Sequence, residues 1–439
     1  MFYQLVRLAG IVGPPGYYDR LWTPLITLWY LIWQRLQPKH TLETVVTDAR
    51  RGGADRLCSK GKGLSRRIKS RATTAFSDAR QRLSLDWVYA CFLKLAQALR
   101  GAADPGMAIE VLDGSTLRFR PQGDIAQDFP PHRTRARKSY WCLGRVLVSF
   151  CVRSGVATRA LIASLHQSEQ ALAVQLMLEA LRHVLYIGDR NFGVWRVVRA
   201  AQQGGGHALV RLTKVRTRRL WGKKRLPRFF DLPCQWIPTA HDQADAGLTK
   251  AAVAGRLIII QAARPGFRPL ALYLFTTLTD AQAYPPERLL EMYGWRWQAE
   301  LNFRTVKASL EMDQLEVKSA EMVRKEFYAG LMAYNLVRGL MTAAAAQADC
   351  CPTRLSFAKV RSLLVAVLAE LWCEGMSPAA CQQRLLWLLA EAAAARLPTR
   401  TKRRQSEPRA QYYEPQVFPK MKGSRAEMRR KLKKRLAKS

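Results

Sequence analysis

Acidic residues are scarce in this chain. Of 439 residues, 33 are Asp or Glu against 71 Lys or Arg, a formal net charge of +38. Solubility needs far less. The excess points to a polyanionic partner, with nucleic acid ahead of an anionic membrane. Zinc-type spacing is missing as well. The nine cysteines are scattered apart from the adjacent Cys350 and Cys351. No CxxC pair or Cys/His cluster occurs, so a zinc-built fold is excluded and the thiols are expected to be reduced core fillers. Long apolar runs are also absent. Residues 21–36 are short for a bilayer span and are interrupted by Pro24 and Gln34, so a buried helix and no membrane partner are expected. No basic region precedes a cleavable apolar segment, and no secretory leader is expected. No internal repeat of the solenoid kind is found. Apolar side chains, by contrast, make up 49% of the chain. That is enough for a folded core, and the length allows two or three domains or one large core with appendages.

Residues 287–310, ERLLEMYGWRWQAELNFRTVKASL, read as one long helix. Tyr293, Arg296, Glu300 and Lys307 then fall within an arc of about 60° and span roughly 21 Å of axis. Arg304 and Glu311 project near the same arc. Met292, Trp295, Ala299, Phe303, Val306 and Leu310 form an apolar flank. A carboxylate in a row of phosphate-seeking groups suits metal chemistry on a polyanion. The same row is equally readable as a solvated charged face with an Arg296–Glu300 ion pair at i,i+4.

Two more carboxylates stand at the ends of short apolar runs. Residues 107–112 read as a buried strand ending at Asp113-Gly114-Ser115, with 117–120 returning as a second strand after a tight turn. Residues 184–188 (VLYIG) form another buried strand, ending on Asp189 and followed by Arg190-Asn191-Phe192. In a helix-covered sheet, ligands gather at such strand ends. Between them, 145–152 and 158–165 alternate as strands, and 168–183 reads as a helix with Ser168 as N-cap. A helix at 193–202 follows. Strands at 207–212, 257–263 and 270–277 make 204–281 a β-rich insertion, in which Trp221 and Trp236 are interleaved with basic residues. That composition suits nucleic-acid contact by charge and stacking, though β-core tryptophans would look the same.

The flanks are helical. Helices at 23–37, 41–54, 72–85 (with Thr74 or Ser77 as cap) and 86–99, with a basic segment at 60–71, suggest a helix-turn-helix-like DNA reader. Arg80 and Arg82 would face the groove or the phosphates; a solvated helical bundle is the alternative. Further helices are expected at 319–344, capped by Ser319, and within 356–396. A turn at 103–106, a basic loop at 133–138 and a loosely ordered basic tail complete the chain. The expected division is 1–102 helical and DNA-binding, 103–203 first part of the core, 204–281 insertion, 282–345 last part of the core, 346–397 helical, and 398–439 tail.

Three carboxylates from distant segments, Asp113, Asp189 and Glu300, can hold two Mg²⁺ or Mn²⁺ ions. Such a pair activates an attacking water or 3′-hydroxyl and stabilises the leaving oxygen of an in-line phosphoryl transfer. Hard oxygen donors without a histidine cluster favour magnesium over zinc. The order of elements is that of a ribonuclease-H-like core. The expected fold class is therefore α/β, a ribonuclease-H-like catalytic core interrupted by a β-rich insertion, with helical N- and C-terminal regions.

Tyr293–x2–Arg296–x3–Glu300–x6–Lys307 matches the Y-R-E-K signature of the DDE transposases of the insertion-sequence-4 family. Residues 284–326 resemble that family throughout. Asp113 in LDGST and Asp189 in GDRNF are similar to its first and second acidic motifs, and ATTAFSDARQRLS resembles its N-terminal region. The resemblance covers roughly residues 74–338 and includes a β insertion where family members have one. It implies that Asp113, Asp189 and Glu300 ligate the metals and that Tyr293, Arg296 and Lys307 hold phosphates of the transposon end. It implies binding of double-stranded DNA at terminal inverted repeats, nicking to a 3′-hydroxyl, excision and strand transfer into target DNA. It also implies a homodimer acting on two ends in trans, a flipped base stacked on an aromatic of the insertion (Trp221 or its rival Trp236), and a cytoplasmic, nucleoid-associated prokaryotic protein. Two other readings share the same residues. One is a metal-dependent nuclease that cuts without rejoining; the other is a transposase-derived DNA-binding protein without catalysis.

Overall fold

The computed structural model describes residues 21–38, 41–58, 63–100, 106–133, 138–179, 183–223, 225–240, 242, 247–262, 270–371, 377–398 and 423–437. Most of the expected turn at 103–106, the basic loop at 133–138 and the tail lies outside them, as do residues 60–62 of the basic segment. The described residues up to 398 belong to one compact unit. A smaller unit contains the helix Arg425–Leu436. Where a loose tail is expected, this helix is capped. Ser424 Oγ accepts from the Glu427 amide at 3.3 Å, and Glu427 Oε2 accepts from the Ser424 amide at 3.0 Å, a reciprocal capping box.

The frame of the larger unit is one mixed sheet. Its strands are β1 (Ala108–Phe119), β2 (Pro131–Arg133), β3 (Lys138–Cys151), β4 (Ala157–Ser164), β5 (Val184–Gly188), β6 (His207–Arg211), β7 (Phe229–Trp236), β8 (Val253–Ala262), β9 (Leu270–Thr276) and β10 (Gln314–Leu315). The order is β2-β3-β1-β5-β6-β9-β8-β7, with β4 paired to β3 and β10 to β1. β1, β5 and β6 run parallel. One face carries the helices Pro24–Leu36, Leu85–Leu99 and Ala320–Gln347; the other carries Glu169–Leu178 and Trp195–Gln203. Alternation along β1 serves both layers, with Val111 and Leu117 facing the first and Leu112 the second. The strands at 204–281 extend the same sheet: β6 pairs with β5, β9 with β6, β8 with β9 and β7 with β8. Arg256 of β8, 1% exposed, donates to the carbonyls of Asp280 and Tyr284 at 3.3 and 2.8 Å. These bonds fix the connection that leads into the helix Pro286–Gly294.

The helix Ala320–Gln347 is buried on most of its sides and starts where expected, its Met322 amide donating to Ser319 Oγ at 3.3 Å. Asn335, fully buried within it, accepts from the Ala157 amide and donates to the Ala157 carbonyl, both at 2.8 Å. Asn335→Ala leaves both backbone groups of β4 unpaired, at about 1–3 kcal/mol each. Urea unfolding should show this as a lower midpoint, and an unchanged midpoint would mean that water replaces the amide.

Several boundaries differ from expectation. Where a hairpin is expected over 107–120, Ala108–Phe119 is one continuous strand. β3 pairs with β1 from Glu110↔Cys151 to Phe119↔Cys142, and this long ladder overrides the turn preference of Asp113-Gly114. The helix expected at 168–183 ends at Leu178, though Ser168 does cap it. Thr74 is the first residue of its helix and Ser77 lies inside; the preceding residue, Thr73, makes no side-chain cap. The segment 287–310 is two helices, Pro286–Gly294 and Trp297–Ser309. Between them the amides of Trp295 and Arg296 bond three residues back, to Met292 and Tyr293, both at 3.1 Å. The chain tightens through one 3₁₀-like turn just after Gly294, a weak helix former. No helix among the described residues is long and apolar enough to cross a membrane.

Candidate catalytic site

Strand pairing brings the first two carboxylates together. Val111 of β1 lies opposite Ile187 of β5. Two residues further along each strand direction stand Asp113 and Asp189, and the pleat of period two turns both to the face that carries the helix Trp297–Ser309. Asp113 lies within β1 rather than at a strand end. Burial pushes its carboxyl up to about 7. The Gly114 amide, donating to Oδ1 at 3.1 Å, and the Arg296 cation pull it down, while the negative charges of Asp189 and Glu300 push it up. Asp113 therefore lies within the fields of both Asp189 and Glu300, carboxylates distant from it in sequence.

Glu300 is supplied by the Trp297–Ser309 helix, whose Ala299, Phe303 and Val306 are buried against the sheet. Arg296 Nη2 donates to Glu300 Oε1 at 2.8 Å, the ion pair expected at i,i+4. Burial acts to lower the Arg296 pKa, but the bond to Glu300 and the nearby Tyr293, Glu300 and Asp189 raise it overall. Tyr293 is 8% exposed. Burial raises its pKa, and the nearby Arg296 and Arg211 cations act against that. Lys307 is lowered by burial and lies within the fields of Asp313, Arg118 and Asp113. The row Tyr293, Arg296, Glu300, Lys307 thus borders the two aspartates. Arg304 is exposed beside it, whereas Glu311, expected near the same arc, is exposed beyond the helix, which ends at Ser309.

One cation of this site is not legible in the sequence. Arg211 ends β6, one residue beyond Val210, which pairs with Gly188 just before Asp189. Arg118, five residues along β1 from Asp113 and turned to the other face by the same pleat, bonds Asp313 at 2.6 Å. Only strand register reveals Arg211.

The expected DNA contacts outside the signature fare differently. Arg80 is 9% exposed and turns inward, where it and Arg35 both pair with Glu326 of the helix Ala320–Gln347. It braces the N-terminal helices instead of facing a groove, because Phe76 and Ala79 of the same helix are core residues. Arg82, at the end of that helix, is exposed. Trp236 is core, packed edge-on to Phe275 at 4.9 Å. Trp221 is half-buried, set edge-on to Phe230 at 4.2 Å, with Lys223 Nζ 5.5 Å from its ring centre.

A donor set of three carboxylates without His or Cys fits a hard divalent cation, and a cation there would relieve the repulsion that helps raise Asp113. The three are not drawn to a common point. Among the described residues, no group of three or more His, Cys, Asp or Glu side chains stands ready to hold an ion, and Glu300 is tied to Arg296.

Residues 104–336 match the family described as "Transposase DDE domain", more than half of the chain. The chain is 25% identical over 350 residues to "Transposase InsG for insertion sequence element IS4" of Escherichia coli (strain K12), across 76% of this chain and 75% of that relative. Among solved structures it aligns with the piggyBac transposase synaptic complex with hairpin DNA. That match has a TM-score of 0.42 and 11% identity, over 90% of this chain and 81% of the other, a likeness too slight to carry weight. The chain belongs to the DDE transposases of the insertion-sequence-4 family.

Proposed function

We propose that this transposase binds the terminal inverted repeats of its insertion sequence and cuts and rejoins their strands by divalent-metal-dependent phosphoryl transfer. One observation carries the reading: Asp113 and Asp189 sit side by side on β1 and after β5, and Asp113 is electrostatically coupled to Glu300 across the sheet face. In this reading the helices around the sheet complete a ribonuclease-H-like core and 204–281 is its insertion. Asp113, Asp189 and Glu300 would hold Mg²⁺ or Mn²⁺. Two such ions, when bound, supply activation of the attacking oxygen and stabilisation of the leaving one.

The protein's own residues do the rest. Arg296 holds Glu300 in place and keeps a positive charge next to the carboxylates. Lys307 places a cation on the Asp113 side, and Arg211, beside Tyr293, places another on the Asp189 side. Together they bracket a scissile phosphate with charge-assisted donors. Arg82 and Trp221 are the outlying DNA contacts, the first by charge and the second by stacking. The chain acts as a homodimer on two ends in the prokaryotic nucleoid.

End nicking should require Mg²⁺ or Mn²⁺ and stop with a chelator; nicking that persists without metal removes the metal from the reaction. Arg296→Ala should weaken binding of transposon-end DNA and flatten the slope of log affinity against log salt by about 0.9 for each phosphate that is no longer neutralised. An unchanged slope would leave Arg296 only as a brace for Glu300.

A further inference from the structure

The turn that carries Asp189 is held from the opposite face of the sheet. The Asn191 amide donates to Asp189 Oδ1 at 2.8 Å. The Asn191 side chain, in turn, donates through Nδ2 to Glu169 Oε2 at 2.6 Å. Gln170 Nε2 donates to the Asn191 carbonyl at 2.9 Å. Phe192, 1% exposed, anchors the far end of the turn in the core. Glu169 and Gln170 open the helix Glu169–Leu178, fixed by the Ala171 amide donating to Ser168 Oγ at 3.1 Å. None of these residues belongs to the Tyr293–Lys307 signature.

Space for Glu169 is provided by the neighbour of the other aspartate. A Cβ built on Gly114 would lie 2.4 Å from the Glu169 carboxyl carbon and 2.7 and 2.8 Å from its oxygens. The missing side chain of Gly114, next to Asp113, is the slot in which the Glu169 carboxylate rests. One carboxylate that binds nothing catalytic therefore touches the strand of Asp113 and the turn of Asp189 together.

We propose that Glu169 is a positioning residue. It fixes Asn191 so that the Asn191 amide keeps Asp189 aimed at the cation site, with Gly114 admitting it. This rests on Asp189 being a metal ligand. A carboxylate in the first turn of a helix also favours the helix dipole, and that purely structural role makes different predictions. Glutamine keeps an acceptor oxygen for Asn191 but loses the charge.

The test is a Mg²⁺ titration of transposon-end nicking by the full chain in preformed end complexes. Glu169→Ala should lower the rate or raise the half-saturating Mg²⁺ by about 10- to 100-fold, the scale of losing a partner that orients a metal ligand, with DNA-end affinity unchanged. Glu169→Gln should recover most of the loss. Gly114→Ala leaves Glu169 in the chain but pushes its carboxylate, the end of a flexible side chain, out of the slot. It should reproduce the Ala phenotype, and it carries the test if thermal melting shows Glu169→Ala to be unfolded. Wild-type rate and Mg²⁺ dependence in both Glu169→Ala and Gly114→Ala, with Asp189→Asn dead, would overturn the positioning role alone. So would a Gln variant as impaired as the Ala variant. Active Asp189→Asn would instead sink the reading beneath it.

Discussion

Asp189→Asn is expected to end metal-dependent nicking of transposon ends, with a loss of roughly three orders of magnitude or more, the scale seen when one member of a concerted catalytic set is removed. Binding of the ends should persist. The substitution is nearly isosteric. It keeps an oxygen that can accept from the Asn191 amide, now at 2.8 Å from Oδ1, so the turn should stay folded. What it removes is the negative charge that reaches Asp113 and Arg296 and that a divalent cation requires. Single-turnover nicking in Mg²⁺ reads the effect, and a gel-shift titration reads the binding. Nicking near the wild-type rate would take Asp189 out of the site.

The largest expected effect on stability lies away from the site. Glu326→Ala should cost about 3–5 kcal/mol, because it strands two buried guanidinium groups. Arg35 and Arg80 reach Glu326 from two N-terminal helices, and their side chains are 7% and 10% exposed against 8% for Glu326. Burial lowers both arginines to about 10, so both stay charged at neutral pH. Without the carboxylate, their charges face each other as well as the apolar interior. Denaturant unfolding should show the midpoint fall. A change under about 1 kcal/mol, the scale of exposed ion pairs, would mean that water reaches the triad. The same ion pair explains why Arg80 does not serve DNA: its partner comes from a helix 246 residues away in sequence, and no local pattern announces it.

That contrast marks what sequence can carry. The YREK spacing, the apolar flank of the Glu300 helix and the two aspartates at VLYIG and in LDGST were legible because each is local. Helix caps at Ser168 and Ser319 were legible for the same reason. Long-range pairing was not. Asp113-Gly114 has the chemistry of a turn, yet the ladder to β3 keeps it extended, and the slot left by Gly114 is filled by the carboxylate of Glu169, from a helix beyond three further strands. The strands of 204–281 are legible one by one, but their joining to β5 through β6 as a continuation of one sheet depends on register. Arg211 enters the site the same way. The break after Gly294 was hidden because both halves of the segment keep helical φ and ψ; only the hydrogen-bond spacing changes.

Strand joining is the most direct test of the site. Full-length protein, DNA ends that border its reading frame and a supercoiled target are incubated in Mg²⁺, and the target is assayed for joined ends. The three-carboxylate site predicts joined product that depends on Mg²⁺, is lost with Asp113→Asn, Asp189→Asn and Glu300→Gln alike, and appears together with free 3′-hydroxyl ends. Ends that are cut but never joined, under conditions where the protein stays folded and bound, would contradict it and leave a nuclease in place of a transposase.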